Sequence, residues 1–543
     1  KLKIGTKYMP TKNNQKRLLV LLILDGWGIA PPSKGNAITL AKTPTMDKLF
    51  KKYPHCKLSA YDGFVGLPEG QDGNSEAGHM NLGAGRIIEQ DALIINRSID
   101  DGTFFKNPAL FDAIRHAENN KSNLHLMGLL SGCQSPHSSP KHFYALLKLI
   151  RENFTGNVFL HLFTDGMDAP QYESVKLIEK MQENLRENER IVSISGRFYA
   201  MDRKKSWERT EKVYNAITLC SGIMADDPIN AITTAYNRGE NDGFIKPTII
   251  IPPVASKYFK GRRCEDLGNV GENDAIIFFN LRSDRARQLA KPFVQHNFNK
   301  MNKGAFIRRK VIKNLKFVAM TDFGPDLENI LTAYPTKDIE KTLPMVLKDL
   351  KQLYIAETEK YAHMTYFFNG GYSKPVGEED RIMVPSPDVK SYDETPCMSI
   401  NKVVDNIKDK LKDNKYDFIA ANFANPDMIG HTGNLKAGIE AIEAADKAIN
   451  ELTNAVLKKK GIIIITADHG NIEEMINLKT GEIDTKHSTN PVPFILAGNN
   501  LKIKKLRDGI LGDVAPTILE LLDIEKPKEM EGESLIKGAF KNI

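Results

Sequence analysis

Three short apolar runs each deliver the chain to an aspartate: Leu18 to Leu24 leads into Asp25, Asp417 to Phe423 leads towards Asp427, and Ile462 to Ile465 leads into Asp468. Runs of this length without polar alternation read as strands buried on both faces, the pattern of a parallel sheet covered by helices. In an open α/β sheet, polar groups just past the carboxyl ends of such strands share one crevice. The three aspartates lie far apart in the chain, so the fold that gathers them is α/β, and one site built from distant segments is the economical reading.

The residues near these aspartates have the chemistry of metal ligands. Asp427 and His431 are four positions apart, which puts both side chains on one face if the segment turns helical. Asp468 and His469 are adjacent, as suits a strand end where successive side chains diverge towards two sites. With His487, this mixed Asp/His set fits Mn, Zn or Co better than Ca, which prefers oxygen ligands. Ser75 lies in Gly73-Asn74-Ser75-Glu76-Ala77-Gly78-His79. A serine hydroxyl is a poor nucleophile at neutral pH, and a bound divalent cation can hold it as an alkoxide. Two divalent cations against the carboxylates of Asp25, Asp427 and Asp468 leave one positive charge, which a Ser75 alkoxide neutralises. Such a centre takes a phosphate monoester as a ligand. Taken singly, these elements are ordinary surface pairs, turns and caps; together they point to phosphoryl chemistry. His79 reads as a core or cap histidine and is left out of the site.

Length and composition bound the rest. A chain of 543 residues exceeds one ordinary hydrophobic core, so two domains are expected. No apolar run reaches the ~18 residues of a membrane span. Leu18 to Leu24 ends in Asp25 without a small-residue cleavage pattern, so it reads as a strand rather than a signal peptide, and a cytoplasmic location is expected. Cys56, Cys133, Cys220, Cys264 and Cys397 form no Cys-x-x-Cys pair and indicate neither a disulfide framework nor a zinc knuckle. The net charge of +7 is spread over segments such as Lys458 to Lys460 and Lys502 to Lys505 without aromatic interleaving. That argues against a nucleic-acid partner and for a surface mildly attractive to anions.

The order of the motifs sets the domain plan. Asp25 and Ser75 come early and the other ligands after Asp417, so the metal domain is discontinuous: residues 16–91 and 334–543, with 92–333 inserted. Residues 1–15 read as a polar extension. The insert carries strand-like runs at 123–128, 158–163 and 191–195, which predict a second α/β domain with a parallel sheet. Arg197, Arg203, Arg282 and Arg285 lie in it, and guanidinium forks suit carboxylate and phosphate.

Asp25-Gly26-Trp27-Gly28, Gly73 to His79, Asn425 to His431, Ala467 to Asn471 and His487 to Pro493 closely resemble the cofactor-independent phosphoglycerate mutases of the alkaline phosphatase superfamily. So do Gly196 to Arg203, Arg282-Ser283-Asp284-Arg285 and Glu357 to His363, and the likeness runs over nearly the whole chain from Leu18. The resemblance implies an alkaline-phosphatase-like metal domain and an inserted phosphotransferase domain. It implies that Ser75 takes the phosphoryl group of 3-phosphoglycerate and that the bound glycerate reorients and recovers it as 2-phosphoglycerate. Asp427, His431 and His487 would hold one divalent metal, and Asp25, Ser75, Asp468 and His469 the other; Mn is expected, with Zn, Co or Mg as alternatives. Asp168 would exchange protons with the glycerate hydroxyls, His137 and Lys360 would contact the phosphoryl group, and the four arginines would hold the glycerate. No added 2,3-bisphosphoglycerate would be needed. Because bulk water at about 55 M competes for a phosphoserine, the insert is expected to close over the metal domain about hinges near Asp91 and Tyr334-Pro335. An internally hinged enzyme needs no partner, so a monomer is expected.

Two departures from the family pattern touch the substrate clamp. Asp165-Gly166-Met167-Asp168 has methionine where the family commonly has arginine, and Gly132 to Ser139 is one residue longer, with Ser139 in place of a histidine. The expectation is that a neighbouring cation takes over the role of the missing arginine. The alternatives are a metal-dependent phosphomonoesterase, a mutase of another small phosphorylated acid, and a non-catalytic phosphate or metal binder.

Overall fold

Two eight-stranded sheets organise the chain in a computed structural model, which describes residues 18–132, 135–251, 267–324, 326–335, 339–499, 501 and 503–536. The expected extension at 1–15 lies outside these residues, as do Cys133, Gln134 and Cys264 of the sequence reading. The chain divides into two compact units: Lys1–Gln90 with Asp338–Ile543, and Asp91–Lys337.

In the first unit the strand order is Glu379–Val384, Gln352–Glu357, Phe418–Phe423, Leu19–Leu24, Ile462–Thr466, Val492–Gly498, His55–Ser59 and Gly509–Ile510. The three runs that lead to aspartates lie side by side and parallel, with Leu22 opposite Ala421 on one flank and Ile465 on the other. All six residues of Leu19–Leu24 are fully buried, which explains why this segment shows no polar alternation. Helix Leu435–Lys458 helps cover the sheet through a stripe of Ala441, Ala445, Ile449, Leu452 and Val456, spaced three or four apart. Its start is capped by Asn434, whose side chain accepts from the Ala437 amide. Val492–Gly498 runs antiparallel to Ile462–Thr466, pairing Phe494 with Thr466.

In the second unit the order is Ile330–Tyr334, Lys316–Thr321, Ala275–Phe278, Leu124–Leu130, Val158–Thr164, Glu189–Gly196, Thr248–Ile250 and Ile223–Ala225. Among the described residues every pairing is parallel except that of Glu189–Gly196 with Thr248–Ile250. The parallel core expected for the insert is therefore present, with one reversal near an edge. No described helix is long and apolar enough to cross a membrane.

Candidate active site

The carboxyl ends of Leu19–Leu24, Phe418–Phe423 and Ile462–Thr466 place the acidic ligands. Asp25 follows the first strand directly, Asp427 sits in the first turn of helix Asn425–Gly430 beyond the second, and Asp468 and His469 follow the third. All four side chains are buried. The chain turns away from Asp25 at Gly26, where φ is +73° and a Cβ would stand 2.8 Å from the Asp427 Cα. Only glycine suits both the left-handed backbone and that approach. His487 lies just ahead of Val492–Gly498, and because this strand runs against its neighbour, its beginning faces the same crevice.

Ser75 opens helix Ser75–Ala84, whose preceding residue Asn74 accepts from the Ala77 amide at 2.9 Å. The first turn of a helix presents unpaired N–H groups and favours negative charge, as an alkoxide or a phosphoserine carries. Ser75 Oγ lies 3.2 Å from Asp25 Oδ1 and 2.9 Å from His469 Nε2. It also accepts from Lys360 Nζ at 2.8 Å. Lys360, on the turn after Gln352–Glu357, bridges Asp25 Oδ1 at 2.6 Å and Asp427 Oδ2 at 2.5 Å.

The donor set fits metal ions. His431 Nδ1 donates to the Thr485 carbonyl at 2.8 Å and His487 Nδ1 to the Gly73 carbonyl at 2.7 Å. With those protons committed, both Nε2 atoms are lone-pair acceptors. They stand 3.1 Å apart, and each is 3.3 Å from Asp427 Oδ1. Three acceptors converging in this way repel one another unless a proton or a cation lies among them. Donor atoms of Asp25, Asp468 and His469 all lie within 4.8 Å of one another, as do those of Asp427, His469 and His487. Charge gives the same reading: Lys360 is one ammonium among three buried carboxylates. Burial, then repulsion from Asp468 and Asp427, pushes the Asp25 carboxyl up to about 6 even with Lys360 beside it. Asp427 is buried too, yet Lys360 and His431 hold it well below the usual carboxylate range. A group of divalent cations would relieve this imbalance.

The second unit gathers its own cluster at the carboxyl ends of Leu124–Leu130, Val158–Thr164 and Glu189–Gly196. Arg197 forms a short contact with Asp165 and donates to Asp168 Oδ2 at 2.6 Å. His137 Nε2 lies 3.6 Å from the same Asp168 oxygen. Arg203 pairs with Asp284 at 2.6 Å, Arg282 lies 3.6 Å from that carboxylate, and Arg285 donates to the Met201 carbonyl at 3.4 Å. Burial, reinforced by Arg282, Arg197, Arg285 and Arg203, drives His137 well below the usual imidazole range, so its ring is neutral. Its buried Nδ1 has no hydrogen-bond partner among the described residues, as expected of a group facing a ligand site. Met167 is 68 % exposed, although Asp165 Oδ1 accepts from its amide and from that of Asp168.

The sequence reading missed several residues that orient the ligands. Asn422 Nδ2 donates to Asp25 Oδ2 at 2.7 Å, and Asn471 Nδ2 donates to Asp427 Oδ1 at 2.7 Å. An asparagine inside the apolar run before Asp427 was a legible signal. His79, read as a core histidine, is fully buried and hydrogen-bonded to the Ser75 carbonyl, but it also lies 3.2 Å from Asp468 Oδ2 and faces Asn422.

Fold and donor set together define a metalloenzyme, and the sequence profile of the metalloenzyme superfamily matches residues 17–526. A 2,3-bisphosphoglycerate-independent phosphoglycerate mutase of Methanosarcina barkeri is 47 % identical over 527 residues, 96 % of this chain and 99 % of that protein. The Clostridium kluyveri enzyme of the same name is 44 % identical over 96 % of this chain and its full length. Crystallised Leishmania mexicana phosphoglycerate mutase, at low cobalt concentration, superimposes with a TM-score of 0.79 over 97 % of this chain and 98 % of its own, at 28 % identity. The chain belongs to the 2,3-bisphosphoglycerate-independent phosphoglycerate mutases.

Proposed function

We propose that the protein interconverts 3-phosphoglycerate and 2-phosphoglycerate, with Ser75 as the phosphoryl carrier. The observation that carries this reading is the place of the Ser75 hydroxyl at a helix N-terminus, in contact with Asp25, His469 and Lys360. Two divalent cations, with Mn the expected pair and Zn, Co or Mg as alternatives, would be held by Asp427, His431 and His487 and by Asp25, Ser75, Asp468 and His469. When bound they supply Lewis-acid polarisation of the phosphoryl group and a lowered Ser75 pKa.

Ser75 Oγ, its proton already released to solvent, bonds to phosphorus as the bond from phosphorus to the 3-oxygen of glycerate breaks, and it is restored as the alkoxide at the end of the cycle. The helix N-terminus and the Lys360 ammonium offset the charge that gathers on the phosphoryl oxygens. The departing oxygen takes a proton, the glycerate turns, and its 2-hydroxyl gives up a proton as it recovers the phosphoryl group from Ser75. Asp168, held by Arg197, gives and takes these protons. His137, in its neutral form with the proton on Nδ1, donates to the phosphoryl oxygens, and Arg203, Arg282 and Arg285 grip the glycerate carboxylate and hydroxyls. The residues around Asp91–Lys337 form the substrate-binding part of the molecule and the remainder the metal-binding part. A cytoplasmic monomer is the working form we infer.

The test is to supply Mn-loaded protein with 3-phosphoglycerate, without 2,3-bisphosphoglycerate, and to follow 2-phosphoglycerate and free phosphate together. The mutase reading expects 2-phosphoglycerate with little phosphate, and loss of both after chelation. Phosphate alone would make the protein a phosphomonoesterase, and no product from 3-phosphoglycerate would point to another phosphorylated acid.

A further inference from the structure

Glu473 is a fully buried carboxylate outside the ligand set, and four neutral donors converge on it. Its Oε2 accepts from the Gly28 amide at 3.0 Å and the Asn471 amide at 2.9 Å. Its Oε1 accepts from the Asn490 side chain at 3.0 Å and makes a short hydrogen bond with the Ser488 hydroxyl. These four donors come from three loops, and each loop carries metal ligands: Asp25 precedes Gly28, Asp468 and His469 precede Asn471, and His487 precedes Ser488 and Asn490. The backbone is cut to fit the carboxylate. A Cβ on Gly28 would stand 2.2 Å from Glu473 Oε1, and one on Gly470 would stand 2.3 Å from the same oxygen. Further bonds between the loops repeat the same register, with the Ser488 amide donating to the Gly470 carbonyl at 2.9 Å and the Ile472 amide to the Gly26 carbonyl at 3.2 Å.

We propose that Glu473 is a positioning residue of the metal centre, a single hydrogen-bonded hub that fixes the Asp25, Asp468/His469 and His487 loops relative to one another. The proposal rests on the reading of these residues as metal ligands. Four hydrogen bonds from neutral groups occupy both oxygens of this buried side chain. An amide of the same shape keeps the two backbone donors on its oxygen but turns an NH₂ group towards the Ser488 hydroxyl and the Asn490 side chain, so both must reverse their roles and the His487 loop must shift to let them. Because the four donors are spread over the three ligand loops, the strain is delivered to the metal ligands rather than to the sheet beneath.

The experiment is calorimetric titration of MnCl₂ into chelator-stripped protein, unaltered and Glu473→Gln, together with melting curves of the metal-free forms. The expected result is an Mn dissociation constant about 10- to 100-fold weaker in the variant, the range for loss of an outer-shell partner, with turnover recovering at saturating Mn. Gly28→Ala, which drives a methyl group into the carboxylate, should weaken Mn binding in the same direction. An Mn affinity in Glu473→Gln within twofold of the unaltered protein, whatever its melting temperature, would overturn the proposal and leave Glu473 a residue of the fold alone. If Glu473→Gln does not fold, Asn490→Ala decides the matter: about threefold or more weaker Mn binding supports the hub, and unchanged binding overturns it. Absence of Mn uptake by the unaltered protein would remove the metal-site reading itself and this proposal with it.

Discussion

Glu357 sits at the end of strand Gln352–Glu357, three residues before Lys360, and burial raises its carboxyl from 4.5 to about 7. The raised value means that the folded state holds the proton more tightly than the unfolded chain does. Its contribution to stability is therefore full below about pH 4.5 and is lost as pH rises through 7. Glu357 accepts from the Ser399 amide at 3.0 Å and the Ser386 hydroxyl at 3.2 Å. A glutamine keeps the first bond through its oxygen and the second by donating to the hydroxyl, which can reverse its role. Glu357→Gln should thus match the unaltered protein near pH 5 and exceed it at pH 8 by roughly 1–3 kcal/mol, measured by thermal or urea denaturation at both pH values. A less stable variant at pH 8 would show that the ionised carboxylate is needed where it is. Met167 is the other residue with a sharp expectation. Its side chain is mostly solvated, and Arg197 already holds Asp165 and Asp168. Met167→Arg should therefore leave the Michaelis constant for 3-phosphoglycerate unchanged or raise it. A tenfold fall, worth about 1.4 kcal/mol, would mean that no neighbouring cation stands in for the family's arginine.

Helix Ser75–Ala84 carries the proposed nucleophile at its first position, and Asn74 is its cap. Asn74→Ala should cost about 1 kcal/mol of stability in a denaturant titration, and should lower turnover because the cap also fixes where the helix begins. Elements of this kind differ in how legible they were. The strands before Asp25, Asp427 and Asp468 could be read from apolar runs because both faces of the sheet are covered. The four-residue spacing of Asp427 and His431 likewise foretold their meeting, at 3.3 Å. Spacing said nothing of how His487 arrives, since that depends on Val492–Gly498 running antiparallel, a property of the sheet. His79 is the buried, carbonyl-satisfying histidine its place in the helix suggests, and what spacing does not foretell is that Asp468 is brought against it as well. Asn471 escapes because an amide that orients a carboxylate carries no charge pattern of its own, whereas Asn422 is marked by its place inside an apolar run.

At the scale of the whole chain, transfer differs from hydrolysis in one requirement, which is that glycerate be retained after the phosphoryl group has moved to Ser75. Arg285 belongs to the unit Asp91–Lys337, where burial and then the neighbouring Arg203 and Arg197 lower its pKa, and it is one of the arginines proposed to grip the glycerate. Arg285→Ala should reduce isomerisation far more than hydrolysis of a simple phosphate ester, whereas Ser75→Ala should abolish both. Equal losses in Arg285→Ala would assign that arginine to the phosphate or to the fold. Ser75 is proposed to carry the phosphoryl group between the two hydroxyls of glycerate. Mn-loaded protein mixed with 3-phosphoglycerate labelled in its phosphoryl group, quenched in acid during turnover and digested, tests it most directly. The label should be found on the peptide containing Ser75 while labelled 2-phosphoglycerate accumulates; 2-phosphoglycerate formed with no label on Ser75 at any quench time would contradict it.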